Sequence, residues 1–214
     1  MKRTLSLILA GTLSLILAGW ALSQVPASLV KSGIIIGKSA AQSSSFNLVE
    51  EHTASNSANL PFTTGITATY DDYQLRCLNL VPASNGDSLF FQMSTNGGSS
   101  YDSSAIYDLI YFNEPPGTGG ENTSQTGMGW VGNVSTNGNY GVVGSWRFIA
   151  PLSTSLYKYV SAENLTVFSS STSALANGFY TGIYRNTAAV NAFQVYFQSG
   201  NITSGTCRLY GYSH

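Results

Sequence analysis

The sequence predicts an all-β protein: a jelly-roll-like antiparallel β-sandwich over residues 46–214, preceded by an apolar N-terminal segment at 1–24 and an extended arm at 25–45. Three observations carry that expectation. Apolar and polar residues alternate with a period of two in run after run, as in strands with one buried face. Asn85-Gly86 and Asn96-Gly97-Gly98 punctuate the runs and supply the positive-φ positions that tight hairpins need. No amphipathic helical pattern follows residue 24, whereas about eight to ten short strand patterns at near-regular spacing do, as in a closed sandwich or barrel.

Residues 1–24 differ from everything after them. Met1-Lys2-Arg3 is a basic start, and residues 4–19 are the octapeptide TLSLILAG written twice, followed by Trp20-Ala21-Leu22-Ser23-Gln24. Two readings fit: a secretory signal peptide cut near Ala21 or Ser23, or an arm retained for assembly. A membrane anchor is marginal, because the apolar stretch is only just long enough to span. Residues 25–45 hold Val25-Pro26, the short run Ile34-Ile35-Ile36 and a Ser/Ala-rich stretch from Ser39, the composition of an extended linker.

The folded part opens with a strand at 46–51. Within 53–102 lies the unit that organises the rest. Tyr73, Leu75 and Cys77 share one face of a strand, with Gln74 and Arg76 on the other. After the Asn85-Gly86 turn, Leu89, Phe91 and Met93 alternate with Phe90, Gln92 and Ser94, so the two runs read as a hairpin. Residues 105–112 give another strand. Residues 113–129, rich in Gly, Thr, Ser and Pro, read as a long loop, functional or mobile. Strand character resumes at 140–149, 157–160, 164–168, 178–184, 191–197 and 205–210, with a turn at Ser199-Gly200-Asn201.

Charge excludes whole classes of partner. Nine basic against ten acidic residues give a net charge of −1, so no basic field exists to draw nucleic acid. Charged residues are only 9% of the chain, against roughly 25% in ordinary soluble domains. Solubility therefore rests on hydroxyl and amide side chains, a habit of secreted adhesins and viral surface proteins. Cys77 and Cys207 are the only cysteines. They read as buried small hydrophobes; a single disulfide between neighbouring first and last strands is the alternative.

Groups able to do chemistry are sparse. His52 and His214 are the only histidines, and neither sits in a triad or metal-ligand spacing. Asp71-Asp72 reads as a turn entering a strand, since adjacent strand residues point to opposite faces. Asn85-Gly86-Asp87 lacks the alternating oxygen ligands of a calcium loop and reads as a hairpin turn. No catalytic residue, cofactor or metal is expected. Asn122, Asn133, Asn164 and Asn201 spell glycosylation sequons, at a frequency that chance explains in so Asn- and Ser-rich a chain. Trp130, Tyr140 and Trp146 are the candidate glycan contacts, with Trp130 the best placed for exposure. Buried core tryptophans are the competing explanation.

Several stretches occur together in a recognisable order: the small-polar segment from Thr53, Phe62-Thr63-Thr64-Gly65-Ile66, Tyr70-Asp71-Asp72-Tyr73, Asn79-Leu80-Val81-Pro82-Ala83, Ser94-Thr95-Asn96-Gly97-Gly98-Ser99-Ser100-Tyr101, and Ile202-Thr203-Ser204-Gly205-Thr206-Cys207-Arg208-Leu209-Tyr210-Gly211. Over about residues 53–214 the chain resembles a family of tailed-bacteriophage structural proteins, tail-fibre-like in character. The 94–101 stretch also resembles the Asp-box turn of sialidases, with Asn96 in the aspartate's place, which is a folding device. The phage resemblance implies a non-enzymatic virion protein on the outer surface of tail or capsid, of tail-fibre or adaptor type. Its implied work is assembly and contact with the host surface. The expected partners are other virion proteins, further copies of the chain (a trimer favoured) and a host surface glycan, but no nucleic acid. Two alternatives stay open. One is a capsid decoration protein of cement or head-fibre type; the other is a secreted bacterial carbohydrate-binding or adhesin domain, to which a cleaved signal peptide would point.

Overall fold

The computed structural model describes residues 46–114, 117–167 and 175–213. The apolar segment and arm at 1–45, and His214, lie outside the described residues. Strands occupy the alternating runs. In chain order they are β1 (Asn47–Ser57), β2 (Leu60–Phe62), β3 (Asp72–Pro82), β4 (Asp87–Ser94), β5 (Tyr107–Glu114) and β6 (Thr118–Gln125). There follow β7 (Met128–Val134), β8 (Val142–Ile149), β9 (Lys158–Val167), β10 (Leu175–Tyr184), β11 (Ala192–Phe197) and β12 (Ile202–Tyr212). No helix occurs among the described residues.

Two antiparallel sheets pack as a sandwich. The large sheet runs β1-β12-β3-β8-β9-β10-β5-β6 and the small one β2-β11-β4-β7. Four pairings explain that order: β1 with β12, β2 with β11, β3 with β8 and β4 with β7. A long hairpin rolled up so that successive strand pairs alternate between sheets produces this set, the jelly-roll arrangement. The remaining strands are two hairpins inserted into the roll, β5–β6 between β4 and β7, and β9–β10 between β8 and β11. Both join the large sheet beyond β8.

The rolled topology corrects one expectation. β3 and β4 are not a hairpin, since they lie in opposite sheets. The Asn85-Gly86 turn, with Gly86 at φ 83°, carries the chain across the sandwich. The 94–101 turn makes the same crossing. There the Ser94 hydroxyl accepts from the Gly98 amide at 3.0 Å, and the Asn96 side chain accepts from the Ser100 amide at 3.0 Å. Gly97 and Gly98 sit at φ 70° and 83°, a region costly for residues with a Cβ. Both turns stand where the sequence places them, but the strands they join are not partners.

The expected loop at 113–129 is mostly strand. β6 (TGGENTSQ) pairs only with β5 and forms the sheet's outer edge. An edge strand with few apolar residues carries no alternation to detect, and such polarity also blunts edge-to-edge association. β9 is likewise one continuous strand where two short ones were expected.

Inward-facing residues fill the space between the sheets. Tyr73, Leu75 and Cys77 of β3 face Leu89, Phe91 and Met93 of β4, and all six are buried. Phe91 is the hub. Its ring lies 5.2 Å from Trp146, 5.6 Å from Trp130 and 6.2 Å from both Phe148 and Phe193. Such aromatic pairs add about 0.5–1.5 kcal/mol each beyond the area they bury.

The cysteines do not remain free thiols. Cys77 and Cys207 stand directly opposite in the β3–β12 ladder, 4.1 Å apart at Cα, and form a disulfide. The burial expected of them holds, at 3% and 0% exposure. The pairing follows from β12 returning beside β3, which neither strand's own sequence announces.

Candidate ligand-binding cleft

A sandwich with eight strands on one side and four on the other cannot be covered evenly. β7 is the exposed edge of the small sheet and lies over β9, β10 and β5 of the large one. Where β7 runs out, the inner face of those strands stays open. A cleft of about 260 Å³ forms there, slightly below the roughly 300–1,000 Å³ usual for small-molecule sites. Its walls come from Val131, Gly132 and Asn133 of β7, Asn164 and Thr166 of β9, Gly178 and Tyr180 of β10, and Asn113 of β5.

Strand parity explains the polar lining. Lys158, Val160, Asn164 and Thr166 are all buried on the inward parity of β9. The apolar pattern of that face therefore changes to amide and hydroxyl just where the small sheet ends. Asn164 is 3% exposed. Its Nδ2 donates to the Trp130 carbonyl at 3.4 Å, while its Oδ1 accepts from no described residue. The Thr166 hydroxyl donates to the Tyr140 carbonyl at 3.4 Å. The Tyr180 hydroxyl donates to Asn113 Oδ1 at 2.8 Å. The Tyr180 ring packs edge-on to Trp130 at 5.9 Å and lies across Gly178, where a Cβ would collide with it.

Among the described residues no Asp, Glu, His, Lys or Arg lines the cleft. Its one titratable side chain, Tyr180, has its phenol pushed up to about 12, by burial first and then by the neighbouring Tyr111. The phenol therefore stays protonated and serves as a hydrogen-bonding group. The amides, the threonine hydroxyl and the protonated phenol can hold a polar molecule by hydrogen bonds.

Comparison with family models, curated proteins and solved structures returned no match.

The residues singled out in the sequence fall elsewhere. Trp130 and Trp146 are both fully buried, so neither offers a ring face to a sugar, and the exposure expected of Trp130 is corrected. Trp130 packs beneath the cleft instead, holding the Tyr180 ring and receiving the Asn164 amide. Tyr140 is half-buried and meets the cleft only through its carbonyl. The sequon at Asn164 is buried within the sheet. Among the described residues no group of three or more His, Cys, Asp or Glu is placed to hold a metal.

His52 and the acidic residues act in the fold. His52 Nε2 lies 2.9 Å from Glu50 Oε1, and its ring packs edge-on to Phe62 at 4.8 Å. Asp72, buried in β3, accepts from Arg147 at 2.6 Å and from the Ala150 amide at 2.9 Å. Asp87 accepts from the amides of Ser88 and Ser199, tying the β3–β4 crossing to the β11–β12 turn.

Glu50 is the most heavily used carboxylate. Besides His52 it accepts from the amides of Thr63, Thr64 and Gly65 at 3.1, 3.1 and 2.8 Å, fastening the β2–β3 connection to β1. Burial raises its pKa, but His52 and the three amides outweigh burial and hold it below 4.5. A depressed carboxylate pKa stabilises the fold above the unfolded value, and that contribution disappears as pH falls through the folded value. Glu50→Gln puts an NH2 against the backbone donors and is expected to cost about 2 kcal/mol at neutral pH. In thermal melts across pH, the gap between wild type and this variant should narrow below about pH 4.5.

Proposed function

We propose that this chain is a non-enzymatic structural protein of a tailed-phage virion, displayed on the outer surface, with a jelly roll that serves assembly and contact with the host. The observation that carries the proposal is the rolled-hairpin strand order, two inserted hairpins included, in a chain that is 9% charged. Jelly rolls recur in viral capsid proteins and lectins. The ordered set of motifs resembling phage structural proteins supplies the virion part of the reading.

Self-assembly is part of the proposal, and its occupant is a second copy of this chain. Val143 pairs with Leu165, and Phe112 with Phe179, on the outer face of the large sheet, with Ile110 two positions from Phe112. All five are exposed, Ile110 by 63%. Glu163 stands opposite Phe179 and Glu121 opposite Ile110, so two carboxylates border the apolar patch and a second copy has to leave them in solvent at its rim. Light scattering of the purified protein should give a trimer, and Phe112→Ser with Phe179→Ser should give monomers with unchanged strand content. A monomeric wild type would contradict this part.

Quantitative mass spectrometry of gradient-purified particles tests the virion role. Tens of copies per particle fit a fibre or adaptor, and hundreds fit capsid decoration. Absence from particles would overturn the proposal.

The secreted adhesin or carbohydrate-binding domain is the second reading, favoured by the basic start, apolar run and small residues of 1–24, which fit a signal peptide; the Cys77–Cys207 bridge fits both readings. Structural disulfides persist outside the reducing cytosol, in secreted proteins as on virion surfaces. Sequencing the N-terminus of the natural protein separates the two: a retained Met1 supports the virion arm, and a start at Leu22 or Gln24 supports secretion.

A further inference from the structure

We infer that the cleft between β7 and the β9–β10–β5 face is a binding site for one neutral sugar ring, and that this site is the host-contacting part of the surface role proposed above.

The lining sets amide and hydroxyl groups with spare hydrogen-bonding capacity around an aromatic ring. Asn164 is almost wholly buried, yet its Oδ1 accepts from no described residue. That oxygen is not sealed from solvent, so it is left to accept from whatever enters the cleft. Asn113 uses Oδ1 for the Tyr180 hydroxyl, and its Nδ2 donates to no described residue. Tyr180 and Thr166 each donate once, which leaves lone pairs on both oxygens to accept. Donors and acceptors are thus mixed across the cleft, as a ring bearing adjacent hydroxyls requires, because each hydroxyl both donates and accepts.

Shape and charge narrow the class. Gly178 clears one wall: a Cβ there would strike the Tyr180 ring. The volume of about 260 Å³ suits a compact molecule rather than an extended strand of peptide. Among the described residues no Lys, Arg, Asp or Glu lines it, so those residues offer phosphates, sialic acids and free cations no counter-charge. The half-buried Tyr180 ring adds an apolar surface of the kind that packs on the C–H face of a pyranose. A neutral hexose or N-acetylhexosamine at a chain end or branch matches all three features.

Saturation-transfer NMR of the purified full chain with glucose, galactose, mannose and N-acetylglucosamine, followed by titration of the best binder, tests the site. The expected result is binding by at least one sugar and a loss of tenfold or more in Asn113→Ala and Thr166→Val. Tyr180→Phe, which keeps the ring and removes its hydroxyl, should also weaken binding. Each variant's melting temperature is taken alongside, and all three should stay within a few degrees of wild type. No binding by any neutral sugar at millimolar concentration would overturn the inference. So would binding that survives all the variants, or preference for a peptide or an anionic sugar. The particle measurement above stays separate: sugar binding by a chain absent from particles keeps the site and retires the virion role, and the converse retires only the site.

Discussion

Reducing the Cys77–Cys207 bridge is expected to lower the melting temperature by about 10–20 °C. The two residues are 130 apart in sequence. Tying them closes most of the folded chain into one loop, and chain-entropy reasoning puts the loss of unfolded-state freedom at about 5 kcal/mol for a loop of that length. The bridge also sits where the roll closes, between the third strand and the last, so it fixes the β3–β12 register against slippage. Melts with and without a reductant, repeated on Cys77→Ala with Cys207→Ala, check this. The reduced protein and the double variant should agree. A shift of under about 3 °C in both would show that the unfolded chain gains little freedom when the bridge is cut.

Lys158→Met is expected to cost about 3 kcal/mol, a fall of about 6–12 °C in melting temperature. Lys158 opens β9 on the inward parity and is 2% exposed. Its ammonium donates to the carbonyls of Ser153 and Leu156 at 2.6 and 2.7 Å, and to those of Thr187 and Asn186 at 3.2 and 3.4 Å. One cation thus gathers the β8–β9 and β10–β11 connections at one end of the sandwich. Burial lowers its pKa from the ordinary lysine value, and the carbonyls are what make the charge tolerable there. Methionine keeps the stem but strands the carbonyls. Denaturant unfolding should show the loss with no change in strand content. A variant within 0.5 kcal/mol of wild type (the usual range for surface changes) would mean that water replaces the ammonium freely.

Alternation and turn chemistry made the fold class legible, because both are local. Tyr73, Leu75 and Cys77 point inward for reasons contained in seven residues of chain, and Gly86, Gly97 and Gly98 are needed where the backbone turns left-handed. Partner strands are not a local property. Nothing in 72–94 reveals that β3 pairs with β8 and β12 while β4 pairs with β7 and β11. The same blindness hid the disulfide, which exists because the last strand returns beside the third. β6 carries no strand pattern in its sequence because, at the sheet's outer edge, no alternating buried face imposes one.

The cleft was hidden for a related reason. Trp130, Tyr140 and Trp146 drew notice as aromatics beside amides, but large rings are more valuable inside a sandwich than on it. Trp130 and Trp146 are buried accordingly. A usable signal did exist. Asn164 and Thr166 stand at inward positions in register with Val160 and Lys158, and polar residues at core parity call for an explanation. Reading β9 as two short strands broke the parity that would have exposed them.

A cryo-electron microscopy map of intact particles tests the central claim most directly. The expected density is a twelve-stranded sandwich on the particle's exterior, with the cleft beside β7 turned to solvent and the outer face around Phe112 and Phe179 covered by a further copy of the chain. Finding that cleft sealed against the shell, or no such sandwich on the exterior at all, would contradict the proposed role.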